Sequence, residues 1–202
     1  MSDTYDLLTL SEGKAALGLT ANTTDQDTLV ASYITTVSRI LDINCGPLVQ
    51  RTVTNEKRSG GNDAVPIHYM PALSITSITE YQGVTAVTLT EETAGTAPAN
   101  GYLLDAENGL VYRRASGQDT YFAFGRNNVV ITYTAGRYAT TSAVDPRVKR
   151  AAGTMLRHLW SIDKGSGNLM FGEVDAPTPI GFAIPNRVKE MLADLWQIPA
   201  VL

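Results

Sequence analysis

Few residues in this sequence have the types and spacing that chemistry requires, and each such set also has a plainer use. In LLDAENGLVYRR, Asp105 and Glu107 sit two residues apart. Paired carboxylates divide acid and base work when their surroundings pull their pKa values apart, as a hydrolase acting on sugar or peptide would need. The same residues, followed by Asn108-Gly109, also spell a hairpin turn with its carboxylates in water. Lys164-Gly165-Ser166-Gly167 sets a serine between glycines but lacks the elbow spacing of a hydrolase nucleophile. No GxxxxGK[ST] is present, and no GxGxxG follows a strand, so no phosphate-cradling loop is expected. His68 and His158 are the two histidines and Cys45 is the one cysteine. That set supplies neither a zinc site nor an internal disulfide. Cys45 ends an apolar helical stripe and reads as a small core hydrophobe. No catalytic residue, metal or cofactor is assigned.

The cations are more suggestive. Arg147, Arg150 and Arg157 share one side of the helical stretch DPRVKRAAGTMLRHLWS, and Lys57 and Arg58 sit at the tip of the first strand pair. Three uses stay open for both sets: a DNA path, the carboxylates of a neighbouring subunit, or plain water. Phosphate contacts need only positive charge in the right place and read no sequence. The 202-residue chain as a whole carries a net charge of −4. A chain of this balance has no general attraction to nucleic acid or anionic lipid, so any such contact must be local. Tyr69, Tyr81, Tyr102, Tyr112, Tyr121 and Tyr133 are spread through strand-like segments, which suits packing on sheet faces better than a platform for stacked bases.

The elements that must position these residues follow from periodicity. A hydrophobic fraction of 44% and a charged fraction of 18% describe a globular protein. A chain of this size buries roughly 70% of its unfolded surface without disulfides. The opening MSDTYDLLTL has no basic start and no long apolar run, so neither a signal peptide nor a membrane span is expected. TLSEGKAALG predicts a short helix, with Thr9 and Glu12 at capping-box spacing and Gly18 as the stop. A second helix is expected over 25–44, with Leu29, Val30, Tyr33, Ile34, Val37, Ile40, Leu41 and Ile43 as its apolar residues and Gly46-Pro47 ending it.

From 49 to 135 the sequence turns to short, β-branched, partly alternating runs: TVTNEKR, AVPIHYM, SITSITEYQ, VTAVTLT, GYLLD, LVYRR, TYFAF and NVVITYT. SGGND between the first two reads as a glycine-rich hairpin turn, and AENG joins a second hairpin. Asp145 and Pro146 then open a third helix, whose stripe is Val148, Ala151, Ala152, Met155, Leu156, Leu159 and Trp160. Residues 163–185 hold too much glycine and proline for a helix and read as a long arm. NRVKEMLADLW predicts a last helix capped by Asn186.

The fold class is therefore α+β: a small bundle of about four helices with an antiparallel sandwich-like or barrel-like β insertion between helices two and three. The expected parts are residues 1–48, the β insertion 49–136, and residues 137–202, whose helices pack with the first part.

In order and spacing, these segments resemble the head–tail connector (adaptor, head-completion) proteins of tailed bacteriophages. The resemblance spans nearly the whole chain. It rests on LLTLSEGKAALGLT, LVASYITTVSRILDINCG, PALSITSITEYQG, YLLDAENGLVYR, VVITYTAGR, DPRVKRAAGTMLRHLW and GFAIPNRVKEML. It implies a non-enzymatic virion protein of the neck, assembled in the host bacterial cytoplasm. Such a protein docks beneath the portal in a ring, commonly of twelve copies, and continues the DNA channel toward the tail. The implied partners are the portal protein, neighbouring copies, downstream neck or tail proteins, and double-stranded DNA held without sequence specificity. No membrane is implied. Candidate lumen or inter-subunit contacts are Arg147, Arg150, Arg157, Lys57 and Arg58. Candidate portal or neighbour contacts in the arm and tail are Phe171, Ile180, Phe182, Trp196, Ile198, Val201 and Leu202. Two other functions remain open: another ring-forming neck or tail-completion protein, and the hydrolase built on Asp105 and Glu107.

Overall fold

The computed structural model describes residues 3–22, 24–164 and 184–196. Two units emerge. One joins Met1–Val49 to Tyr138–Leu202, and the other is the continuous stretch Gln50–Arg137.

The first unit is helical. Its described elements are α1 (Leu10–Leu17), α2 (Asp27–Cys45), a 3₁₀ turn (Thr141–Ala143), α3 (Pro146–Lys164) and α4 (Asn186–Met191). Local chemistry sets most of their ends. Glu12 N–H donates to the Thr9 hydroxyl while the Glu12 carboxylate accepts from Thr9 N–H, so the capping box is complete. Gly18 closes α1 in the left-handed conformation, with φ 72°. Asp145 accepts from Arg147 N–H at 2.7 Å, just ahead of Pro146. The last helix differs from expectation. Pro185, not Asn186, occupies its N-cap position, no side chain caps it, and it stops at Met191. Leu192 and Leu195 beyond it are buried all the same. Asp163 and Lys164, expected at the start of the arm, belong to α3. The rest of that arm, with Phe171, Ile180 and Phe182, lies outside the described residues, as do Ile198, Val201 and Leu202.

The stripes of α2 and α3 meet in one core. Val30, Ile34, Val37 and Leu41 face Val148, Ala151, Ala152, Met155 and Leu156, joined by Val188, Leu192 and the N-terminal plug Leu7-Leu8. Each fully buried large side chain contributes about 1.5–3 kcal/mol of transfer free energy before entropy is subtracted. Cys45 is fully buried here, while Ile43 points outward at 82% exposure. Gly13 brings α1 against α2. A Cβ there would sit 2.5 Å from Ile34 Cδ1 and 3.0 Å from Cγ1.

The second unit is one eight-stranded sheet, and it does not close into a barrel. Its strands are β1 (Arg51–Arg58), β2 (Ala64–Pro66), β3 (Ala72–Gln82), β4 (Thr85–Glu91), β5 (Gly101–Asp105), β6 (Leu110–Ala115), β7 (Gln118–Asp119) and β8 (Val129–Ala135). Their order is β1-β8-β3-β4-β5-β6-β2, with β7 also on β6. All pairings are antiparallel except β4 with β5. The β5–β6 hairpin forms as expected, and β3 and β4 pair as a hairpin that the sequence reading does not join. The first expected hairpin does not: β1 pairs with β8 and β2 pairs with β6. TYFAF is not a strand, and Phe122 enters the core from a loop. Central β8 alternates cleanly, with Val129, Ile131, Tyr133 and Ala135 all buried.

This core holds an ion pair. Glu80 is 0% and Arg113 5% exposed, with Nε 3.3 Å from Oε2. The Glu80 carboxylate also accepts from Gln82 Nε2 at 3.0 Å and from the Ala123 amide at 2.5 Å. Arg113 donates to the carbonyls of Gly101 and Arg114 and to Asn100 Oδ1. Both ions are thus well supplied with partners, as buried charges must be.

Two substitutions test this packing. Gly13→Val should lower unfolding free energy by about 1–3 kcal/mol through overpacking against Ile34. Arg113→Met should cost about 3–5 kcal/mol by stranding the Glu80 carboxylate, and Glu80→Leu added to it should recover part of that loss. Urea unfolding of the three variants beside the parent chain reads both.

Candidate functional site

A concavity lies on the helical unit, between α1, α3 and the start of α4. It is about 420 Å³ in volume. Its floor is made of small residues. Ala16 of α1 faces Gly153 of α3, where an added Cβ would stand 3.4 Å from that of Ala16, and the exposed Ala15 lines the cleft beside them. Its walls carry Lys149, Arg150, Arg157 and Arg187 against a single carboxylate, Glu12. Four cations around one anion make the cleft locally basic on an acidic chain.

These cations are held differently. Lys149 Nζ meets Glu12 Oε1 at 2.6 Å, tying α3 to the first turn of α1. Burial pushes the Glu12 carboxyl up. Hydrogen bonds from Lys149, the Thr9 amide and the Thr9 hydroxyl outweigh that and leave it below the ordinary carboxylate value. Arg157 Nε donates to the Ala16 carbonyl at 3.1 Å, a cation placed at the C-terminal end of α1 where the helix dipole favours it. Arg150 and Arg187 are exposed.

Of the residues singled out from the sequence, Arg150 and Arg157 therefore share a site. Arg147 does not line it. Its guanidinium makes a two-pronged contact with Asp194, both prongs at 2.8 Å, and so anchors the chain beyond α4. Trp196 is half-buried against the helical core. His158 is half-buried on α3, and His68, in the β unit, stacks edge-on against Tyr69. Among the described residues, no group of three or more His, Cys, Asp or Glu is placed to hold a metal, and no helix is long and apolar enough to cross a membrane.

The remaining candidates fall in the β unit. Lys57 is exposed on β1. Arg58 is turned back onto Glu56 at 2.8 Å, and Glu56 also accepts from the Tyr133 hydroxyl and the His68 amide. Asp105 accepts from the side chain and amide of Asn108 at 2.7 and 3.1 Å. The Asn108 side-chain bond leads in holding its carboxyl below the usual value. Gly109, with φ 64°, completes the turn. A carboxyl so held is a turn former, whereas a general acid needs its pKa raised. Tyr102 and Tyr133 are buried in the sheet unit, while Tyr69, Tyr81 and Tyr121 are exposed.

The β unit also presents an apolar tip. Asn128 ties two loop positions to the end of β3: Oδ1 accepts from Gly60 N–H at 2.8 Å, and Nδ2 donates to the carbonyls of Ala123 at 2.7 Å and Tyr81 at 3.4 Å. Only glycine fits at position 60, where a Cβ would lie 2.2 Å from the Ala123 oxygen. The loops so fixed present Phe124 at 96% exposure, and Val84 tops the adjoining β3–β4 turn at 102%.

No protein-family model matches the chain, and no curated protein sequence does either. Solved structures do share its fold, among them chains from the neck and the virion of a phage-like particle. A chain in the neck of an empty gene transfer agent (GTA) particle, computed with C6 symmetry, gives a TM-score of 0.59 at 18% identity, covering 96% of this chain and 92% of that one. A chain in the neck of the native particle, computed with C12 symmetry, gives 0.51 at 16% identity, covering 98% and 97%. A chain in the virion of the native particle gives 0.51 at 16% identity, covering 96% and 92%. At these identities the likeness is one of fold, and it agrees with the resemblance to head–tail connector proteins.

Glu12 offers a pH test. Its folded pKa is depressed, so its contribution is complete above about pH 4.3 and fades as pH falls through the lower folded value. The carboxylate is 38% exposed, so solvent screening limits that contribution to at most about 1 kcal/mol. Glu12→Gln should be less stable than the parent near neutral pH and converge with it in acid, as followed by urea unfolding across pH.

Proposed function

We propose that this chain is a structural protein of a virion neck: a head-to-tail connector that forms a ring beneath the portal, extends the DNA channel and gives the tail its attachment site. One observation carries this. The chain shares its fold, over 96% of its length, with a protein in the neck of a symmetric particle. Neighbouring copies are its first partners, and twelve is the copy number in keeping with the C12 neck. Portal protein lies on one side of the ring and downstream neck or tail proteins on the other.

The physical properties suit that role. A closed ring is built from head-to-tail contacts, in which one surface of a copy meets a different surface of the next. The basic cleft and the rigid apolar tip of the β unit are two such unlike surfaces. Exposed apolar side chains on well-fixed loops are suited to burial against a partner. The net charge of −4 suits a channel wall, because dense positive charge would hold passing phosphates instead of releasing them. No chemical step is required of Asp105 or Glu107.

Deleting the gene in a producing host tests the proposal by electron microscopy of the lysate. Expected are packaged or leaking heads beside free tails, with joined particles restored when the gene is supplied in trans. Normal joined particles without this protein would overturn the connector role. Joined particles with defective tail ends would point to a tail-completion protein instead.

A further inference from the structure

Arg150 and Arg187 approach the cleft from two helices, and neither guanidinium enters an ion pair or hydrogen bond with another described residue. A guanidinium is a planar fork of donors that suits a carboxylate or a phosphate. The shape of the cleft separates these. Duplex DNA is a broad convex rod and cannot enter a concavity of about 420 Å³, whereas a few residues of extended peptide can. The small side chains at Ala16 and Gly153 let a main chain come close.

The sequence supplies a complementary peptide. Between Lys164 and Arg187 the acidic residues are Glu173 and Asp175, in FGEVDAPTP, and no lysine or arginine lies between those two ends. Two carboxylates two residues apart in sequence are the complement in charge and number of the two guanidiniums on the walls of the cleft. A basic cleft and an acidic segment on one chain also form the pair of unlike surfaces that a head-to-tail ring needs.

We propose that the cleft of one copy receives the Glu173–Asp175 segment of the neighbouring copy, with Arg150 and Arg187 clamping the two carboxylates. This rests on the ring reading above, and it is tested in solution without assembled particles.

A fluorescent peptide spanning residues 170–178 is titrated into the full-length protein and followed by anisotropy. Saturable binding that weakens with added salt is expected. Affinity should fall at least roughly tenfold for Arg150→Glu with Arg187→Glu, both exposed positions whose folding circular dichroism can check. A peptide carrying Glu173→Lys and Asp175→Lys should fail on the parent chain and recover on the charge-reversed one. Equal binding to parent and variant, or no binding at all, would overturn the proposal. So would peptide binding seen only after Glu173 and Asp175 are replaced in a protein that sedimentation shows to be monomeric, which would mean that the segment fills the cleft of its own copy. Loss of duplex DNA binding in the same variant, with peptide binding unchanged, would overturn it in favour of a nucleic-acid contact. Each of these failures leaves the connector role to the deletion experiment.

Discussion

The helical unit depends on α3 covering the apolar stripe of α2. Neither helix can hide its own face, and the residues that meet are about a hundred positions apart in sequence. Small residues bring α1 close against both helices. Gly13 lets α1 settle on Ile34, and Gly153 lets α3 come up to Ala16. The polar cross-links are arranged around this packing. Lys149 pairs with Glu12, Arg157 reaches the end of α1, and the Tyr33 hydroxyl donates to Asp163 at 2.5 Å. The basic cleft is a by-product of the same geometry. Where two helices approach over alanine and glycine, the longer side chains on either side stand up as walls.

The β unit solves a different problem. Specific polar groups hold its loops. Glu80 reaches Arg113, Gln82 and the Ala123 amide, so one buried carboxylate fixes both a distant strand and the loop that carries Phe122. Asn128 does the same at the tip for the segments of Gly60 and Ala123 and the end of β3. Buried or half-buried polar groups with every partner in place specify one arrangement among many of similar apolar content. That is why Phe124 is fully exposed yet firmly positioned.

Features with local causes were legible in the sequence. The Thr9–Glu12 box, the Gly18 stop, the Asp145-Pro146 start and the Asp105–Gly109 turn each need only a few neighbouring residues, and each forms. The stripes of α2 and α3 were legible because they repeat at helical spacing. Strand partners were not. β1 finds β8 and β2 finds β6 through long-range pairing that no turn dictates, so SGGND misled. The cleft was half legible. Arg150 and Arg157 stood out on one helix face, but Lys149, Arg187 and Glu12 join them only through the packing of three separate helices. Arg147 looked equivalent to its neighbours and is instead taken up by Asp194.

The bridge between Val49 and Tyr138, where the chain leaves the helical unit and returns to it, has a consequence for biosynthesis. The β unit is continuous in sequence and can finish folding as soon as it has left the ribosome. The helical unit cannot. α1 and α2 emerge first, and Val30, Ile34, Val37 and Leu41 stay uncovered until α3 appears. At about 5–20 residues per second, roughly a hundred residues of further synthesis means a wait on the order of 5–20 s. Over that interval the nascent chain displays a greasy helix face to the cytosol, and a chaperone that shields such faces would raise the yield of native protein.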